Sequence, residues 1–158
     1  MYIIMCSKPG KAEKYLQLAS YNAELFSKDP HTKVGAIILT SDFSRILATG
    51  INGFPRKFDD SIPERWERPM KYNYASHAEQ NSVCNAARTG TPLDGSVIIV
   101  TMFPCMNCTK SIIQAGITKV YAPKPNFEDI RWGNEFKVSV EMFEEVGVEI
   151  IYIEQHKN

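Results

Sequence analysis

Ser96-Val97-Ile98-Ile99-Val100-Thr101, then a segment from Pro104 to Gly116, then Lys119-Val120-Tyr121-Ala122: this stretch sets the architecture of the chain. Both outer runs are short, apolar and rich in Val and Ile, the pattern of a buried strand. Between them Pro104 is placed to start a helix, Ile112 and Ile113 continue it, and Gly116 ends it. Strands separated by a helix are most simply parallel neighbours, joined by a right-handed crossover.

The same alternation extends in both directions. Toward the C-terminus, Phe136, Val140, Phe143 and Val146 mark a helix closed by Gly147, and Val148 to Ile153 reads as the last strand. Toward the N-terminus, Ser76 to Thr89 reads as a helix with Ala78, Val83, Ala86 and Ala87 inward and Gly90 at its end. Val34 to Thr40 and Arg45 to Thr49, separated by Ser41-Asp42-Phe43-Ser44, read as a β-hairpin. Lys11 to Ser27 carries Ala12, Tyr15, Leu16, Ala19, Ala23 and Phe26 at helical spacing, and Asp29-Pro30 stops it. The expectation is an α/β chain in three layers, α/β/α, around a mixed five-stranded sheet. Only the polar connection from Gly50 to Tyr74 is long, and such a loop in a small domain is usually functional or disordered. No internal repeat, linker or low-complexity stretch interrupts the pattern.

With 158 residues, 44% of them hydrophobic, the chain can bury one core and not two, so residues 1–158 are expected to form a single domain. Eighteen basic and eighteen acidic residues leave no formal net charge, which argues against partners that need a broad basic face, nucleic acid and anionic membrane alike. The longest apolar runs, Gly35 to Leu39 and Val97 to Val100, fall far below the roughly 20 residues of a membrane span. Met1 to Met5 is apolar but very short, has no basic lead and meets Lys8-Pro9-Gly10-Lys11, so a secretory signal is not expected and a cytoplasmic location is.

Four cysteines occur, Cys6, Cys84, Cys105 and Cys108, and in a reducing compartment the close pair points to a metal or redox site. Cys105 and Cys108 share one helical face, so both sulfurs can reach a single ion at about 2.3 Å, and a helix N-terminus favours their thiolates. His77, at the start of the preceding helix, can add a ring nitrogen at about 2.0 Å. Cys84 is too far to be a fourth ligand, because seven residues of helix span roughly 10 Å. Three protein ligands leave one position for water, the arrangement of a catalytic zinc site. Glu79, two residues beyond His77, can then take a proton from that water and pass it to a ring nitrogen and a leaving amine.

Each piece also has an ordinary reading. Ser76-His77-Ala78-Glu79 matches a capping box, in which Glu79 would bond the Ser76 N–H. Cys105-x-x-Cys108 alone could be a thiol redox pair or half of a four-cysteine zinc site, and His77 an ordinary hydrogen-bonded histidine. Cys84 is expected to be a small buried residue, and Trp66 and Trp132 to be packing residues. Cys6, His31 and His156 carry no motif. Taken together, H-x-E followed by P-C-x-x-C at successive helix starts is the signature of the zinc nucleobase deaminases.

On these residues the chain resembles the deoxycytidylate (dCMP) deaminases of the cytidine deaminase superfamily. The resemblance extends to Ser27-Lys28-Asp29-Pro30, Lys33-Val34-Gly35-Ala36, Gly50-Ile51-Asn52-Gly53-Phe54-Pro55, Lys71-Tyr72, Phe103-Pro104-Cys105 and Ile112-Ile113-Gln114-Ala115-Gly116-Ile117, over Tyr15 to Ile153. It implies hydrolysis of dCMP to dUMP with ammonia release, one zinc per subunit held by His77, Cys105 and Cys108, Glu79 as proton shuttle, and a homo-oligomer, commonly a hexamer. Asn52 would hold the sugar, the Ala78 N–H and Cys105 carbonyl would read the pyrimidine edge, and Phe103 would wall the pocket. Arg56, Lys57, Arg65, Arg68 and Lys71 are candidates for the phosphate, with Arg56 and Arg68 preferred. Many relatives respond to dCTP and dTTP at a second site that would here include Asn52 and Gly53, with Mg2+ accompanying the nucleotide; Ile51 stands where an aromatic is common. No second zinc is expected, since the loop has neither Cys nor His. The alternatives are a deaminase of another cytosine nucleotide, such as dCTP or a 5-substituted dCMP, a tRNA or polynucleotide deaminase, and a non-catalytic zinc or redox module.

Overall fold

A computed structural model describes residues 10–154. The leader reading of Met1 to Met5, Cys6 and His156 lie outside the described residues. In chain order the elements are α1 (Lys11–Phe26), β1 (Gly35–Leu39), β2 (Ile46–Ile51), a 3-10 turn (Pro63–Trp66), α2 (Lys71–Tyr74), α3 (Ala78–Thr89), β3 (Val97–Val100), α4 (Met106–Gln114), β4 (Lys119–Ala122), α5 (Gly133–Val146) and β5 (Glu149–Tyr152).

The strands form one sheet in the order β2-β1-β3-β4-β5. The hairpin strand β1 is antiparallel to both β2 and β3, with Ile38 opposite Ala48 on one side and Ile98 on the other. β3, β4 and β5 are parallel, with Ile98 beside Val120 and Val120 beside Ile150. The sheet is therefore mixed, as the alternation of elements implies.

Side chains alternate across the strands, so each run supplies both faces. Ile37, Leu39, Val97 and Ile99 pack with Leu16 and Ala19 of α1 on one side. Ala36, Ile38, Ile98, Val100 and Val120 pack on the other with Ala78 and Ala86 of α3, Ile112 of α4, and Phe136 and Phe143 of α5. Burial on both faces is what makes β1 and β3 apolar throughout instead of alternating.

Several local expectations change. The connection after β2 is neither irregular nor open: it holds the 3-10 turn and α2, and a two-way bridge between Gly53 and Ser76 closes its base. Cys84 is exposed, not buried. The face α3 turns to the sheet is Ala78, Glu79, Ser82 and Ala86, and Cys84 lies about 200° around the helix from Ser82. The same rotation exposes Ala87. Phe26 and Val146, on the last turns of their helices, are also exposed.

Candidate active site and metal centre

The site is built where α3 and α4 begin. His77 occupies the residue before the first turn of α3, and Cys105 the same position before α4, each with extended backbone. Their side chains converge because both helices pack on one face of the sheet. Two backbone contacts hold the starts in place. Gly50 of β2 lies directly beneath Ala78 and Ser82. Beyond β3, Thr101 donates its N–H to the Gly35 carbonyl at 3.0 Å and its hydroxyl accepts the Gly35 N–H at 3.0 Å.

The ligand atoms of His77, Cys105 and Cys108 all lie within 4.8 Å of one another. His77 Nδ1 is 3.4 Å from each sulfur. A tetrahedral ion with bonds of about 2.0 Å to nitrogen and 2.3 Å to sulfur requires a nitrogen-to-sulfur edge of about 3.5 Å. The three side chains thus fit zinc, through Nδ1, and form the one such cluster among the described residues.

Charge is already distributed for metal binding. The Cys108 thiol beside it pulls Cys105 down to about 4, assisted by the hydrogen bond to His77 and working against burial. Cys108 is driven up, first by the Cys105 thiolate and then by burial and by Glu79. His77 is raised by its bond to Cys105, with burial opposing. Without an ion, the sulfurs therefore carry one thiolate and one proton.

Glu79 is buried, and burial lifts its carboxyl to about 7. Its charge raises Cys108, which places it beside the proposed metal ligands, and it is not part of the ligand cluster. The capping-box reading of this residue does not hold, because the Ser76 N–H donates instead to the Gly53 carbonyl at 2.8 Å.

A cavity of about 350 Å³ opens beside this cluster and is lined in part by His77, Ala78, Glu79, Cys105 and Phe103. Asn52 also lines it, buried, as does Arg68, which donates weakly to Thr32 Oγ1 at 3.4 Å. The Cys105 carbonyl faces its own helix and accepts the Thr109 N–H. Arg56 is not among the lining residues; its guanidinium bonds Asn85 Oδ1 on α3. Arg65 is also held elsewhere, over the Phe58 ring and on the Asp59 carbonyl. Lys71 reaches the cavity but is consumed by Asp29 at 2.8 Å.

Among the lining residues outside the sequence-based site set are Arg131 and Trp132. Arg131 rests on the ring of Tyr72, 3.3 Å from its centroid, and makes no side-chain hydrogen bond among the described residues. Trp132 meets His77 edge to face at 5.9 Å and so lines the site instead of merely packing. Both belong to the loop before α5, where no local spacing marks a ligand. Gly53 borders a second, smaller cavity with Asn52, Phe54, Trp66 and Lys28.

Residues 9–124, which include His77, Glu79 and both cysteines of the cluster, match the family model described as the cytidine and deoxycytidylate deaminase zinc-binding region. The chain belongs to this deaminase family. A protein of Aliivibrio fischeri described as "Uncharacterized deaminase in luxG 3'region" is 41% identical over 143 residues, covering 90% of this chain and 92% of its own. Human deoxycytidylate deaminase is 36% identical over 123 residues, 73% of this chain and 66% of the human one. The crystal structure of dCMP deaminase from the cyanophage S-TIM5, in complex with dCMP and dUMP, superposes with a TM-score of 0.73 at 30% identity, covering 92% of this chain and 98% of that one. The mixed sheet is thus the family's fold, and the His77-Cys105-Cys108 cluster lies within the matched zinc-binding region.

Proposed function

We propose that this deaminase hydrolyses dCMP to dUMP and ammonia. The observation that carries the reading is a His-Cys-Cys cluster of zinc geometry, with a buried carboxyl beside it, opening into a cavity lined also by Arg131, which pairs with no carboxylate among the described residues.

His77 Nδ1, Cys105 Sγ and Cys108 Sγ would hold the zinc. Its contribution when bound is Lewis acidity, which makes water a nucleophile at neutral pH. The chain supplies the rest. Replacing the exocyclic amine of cytosine consumes one water and expels ammonia, so protons must move from the water to the ring and to the departing nitrogen. Glu79, poised near 7, can both accept and return a proton at neutral pH. Its burial keeps bulk water from competing for that proton. Phe103, held edge-on by Phe136 and Phe143, gives the base an apolar wall. Ala78, the first residue of α3, lines the same cavity, and its N–H belongs to the first turn, which has no partner within the helix.

Arg131 and Arg68 are the cations that support a 5'-phosphate. Their guanidiniums match a phosphate bidentately, and among the described residues neither pairs with a carboxylate. The proposal further includes a single-domain subunit, a homo-oligomer, a hexamer by resemblance, and a cytoplasmic location. It also includes dCTP or dTTP, with Mg2+, as effectors; the smaller cavity beside Asn52 and Gly53 supports that last reading.

An ammonia-release assay over deoxycytidine, dCMP, dCTP, CMP and 5-methyl-dCMP, with and without added dCTP or dTTP, tests the proposal. The expected result is turnover that favours dCMP. Turnover of an RNA hairpin with none of free dCMP would overturn it.

A further inference from the structure

Asp29, Asn52 and Lys71 line the substrate cavity, yet each is less than a tenth exposed. They form one hydrogen-bonded wall. Asn52 Oδ1 accepts the Ser27 hydroxyl and the Val34 N–H, both at 2.9 Å, while its Nδ2 donates to the Thr32 carbonyl at 2.7 Å and to Asp29 Oδ2 at 3.3 Å. All four positions of the carboxamide are filled. Turning it over would set Nδ2 against the Val34 N–H and Oδ1 against the Thr32 carbonyl, so only one orientation is compatible with the wall.

Asp29 is the hub. Besides Asn52 it accepts the N–H groups of His31 at 2.8 Å and Thr32 at 3.1 Å, and Lys71 Nζ at 2.8 and 3.1 Å. Burial pushes the Asp29 carboxyl up, but Lys71 and the two N–H groups bring it below its ordinary value. Lys71 is the only cation in this wall, and its ammonium hydrogen-bonds nothing but Asp29 among the described residues. It comes from α2, four residues long and too short to hold its own conformation. The next residue, Tyr72, carries Arg131 on its ring.

We propose that Lys71 is a positioning residue for the nucleotide: through α2 it sets Tyr72 and the Arg131 that rests on it, and through Asp29 it fixes the Asn52 wall of the cavity, whose carboxamide is filled by protein partners and so shapes the cavity instead of bonding the sugar. The nucleotide's identity rests on the deaminase reading; the positioning does not. Neither Lys71 nor Asp29 bonds His77, Glu79, Cys105 or Cys108 among the described residues. Loss of the pair should therefore weaken substrate binding and leave the proton transfers intact. A purely structural ion pair would instead lower the melting temperature and leave KM alone.

The test uses full-length, metal-loaded K71M, together with D29N/K71M, which leaves no buried charge should the single variant fail to fold. Kinetics and amide hydrogen exchange are both measured. We expect KM for dCMP to rise about tenfold or more with kcat within about threefold, and faster exchange at His31, Thr32 and Val34. An unchanged KM, a fall in kcat alone, or unchanged exchange at those amides would overturn the proposal. If the unaltered protein turns over no cytosine nucleotide, the functional reading falls, and the dissociation constants of dCMP and deoxycytidine for the native protein and K71M, read by titration, decide the role of Lys71: equal binding in the two proteins overturns it.

Discussion

Gly50 of β2 and Ala78 of α3 meet backbone to backbone: a Cβ at Gly50 would overlap the Ala78 carbonyl oxygen and come within 2.5 Å of the Ser82 nitrogen. That approach seats the first turn of α3, and with it His77 and Glu79, on the sheet. Gly50→Ala must push the helix outward, because the atoms it meets are backbone and cannot rotate away. Overpacking of this kind costs about 1–3 kcal/mol. We expect a lower melting temperature and at least a tenfold loss of turnover. A variant with native turnover would show that the close approach is not required.

Glu79→Gln tests the proton shuttle. The variant should fold and retain its metal, and lose about a hundredfold or more in kcat. The metal-free protein gives a second readout. The folded carboxyl sits near 7, above its ordinary value of 4.5, so the folded state holds a proton that the unfolded chain releases. Its stabilising contribution is complete below about 4.5 and is lost as pH rises through about 7, a difference of order 3 kcal/mol. Chelator-treated native protein should therefore lose more in melting temperature between pH 5.5 and pH 8 than the chelator-treated Glu79→Gln variant does. Equal pH dependence in the two would refute the assignment.

Metal affinity should rise with pH. Cys108 stays protonated in the metal-free cluster because the Cys105 thiolate and burial both oppose its ionisation. Zinc binding must expel that proton. Competition against a chelator of known affinity at pH 6, 7 and 8 should show an apparent affinity that rises about tenfold per unit or more steeply, since His77, raised by its bond to Cys105, must also give up its proton to bind. A flat profile would mean that both sulfurs are already thiolates.

Arg131→Met separates phosphate recognition from chemistry. A charge-assisted contact to phosphate is worth about 1.5–3 kcal/mol, so KM for dCMP should rise about tenfold to a hundredfold. Turnover of deoxycytidine, which has no phosphate, should not change. If both substrates suffer equally, Arg131 serves the stack on Tyr72 and not the phosphate.

Much of this molecule is legible without coordinates. Strands that are buried on both faces are apolar throughout, as at Val97 to Val100, and Gly90 and Gly147 end their helices with positive φ. The metal ligands were legible because two of them sit three residues apart on one helical turn. What misled was rotation about a helix axis. Ala87 and Cys84 look apolar and therefore inward, but the inward face of α3 includes Glu79 and Ser82, both polar and buried.

The order of elements and the two local motifs, His77-x-Glu79 and Cys105-x-x-Cys108, follow from the chain alone, since each depends on neighbours within one or two turns; that the two motifs meet, across 28 residues, depends on both helices packing on one face of the sheet. Only the tertiary structure could assign the cations. Lys71 and Arg131 look alike as basic residues in polar segments, yet one is neutralised by a carboxylate 42 residues away and the other rests on an aromatic ring, its guanidinium making no hydrogen bond among the described residues. A charge is available to a ligand only if nothing in the fold has already claimed it, and that is settled by contacts between segments distant in sequence.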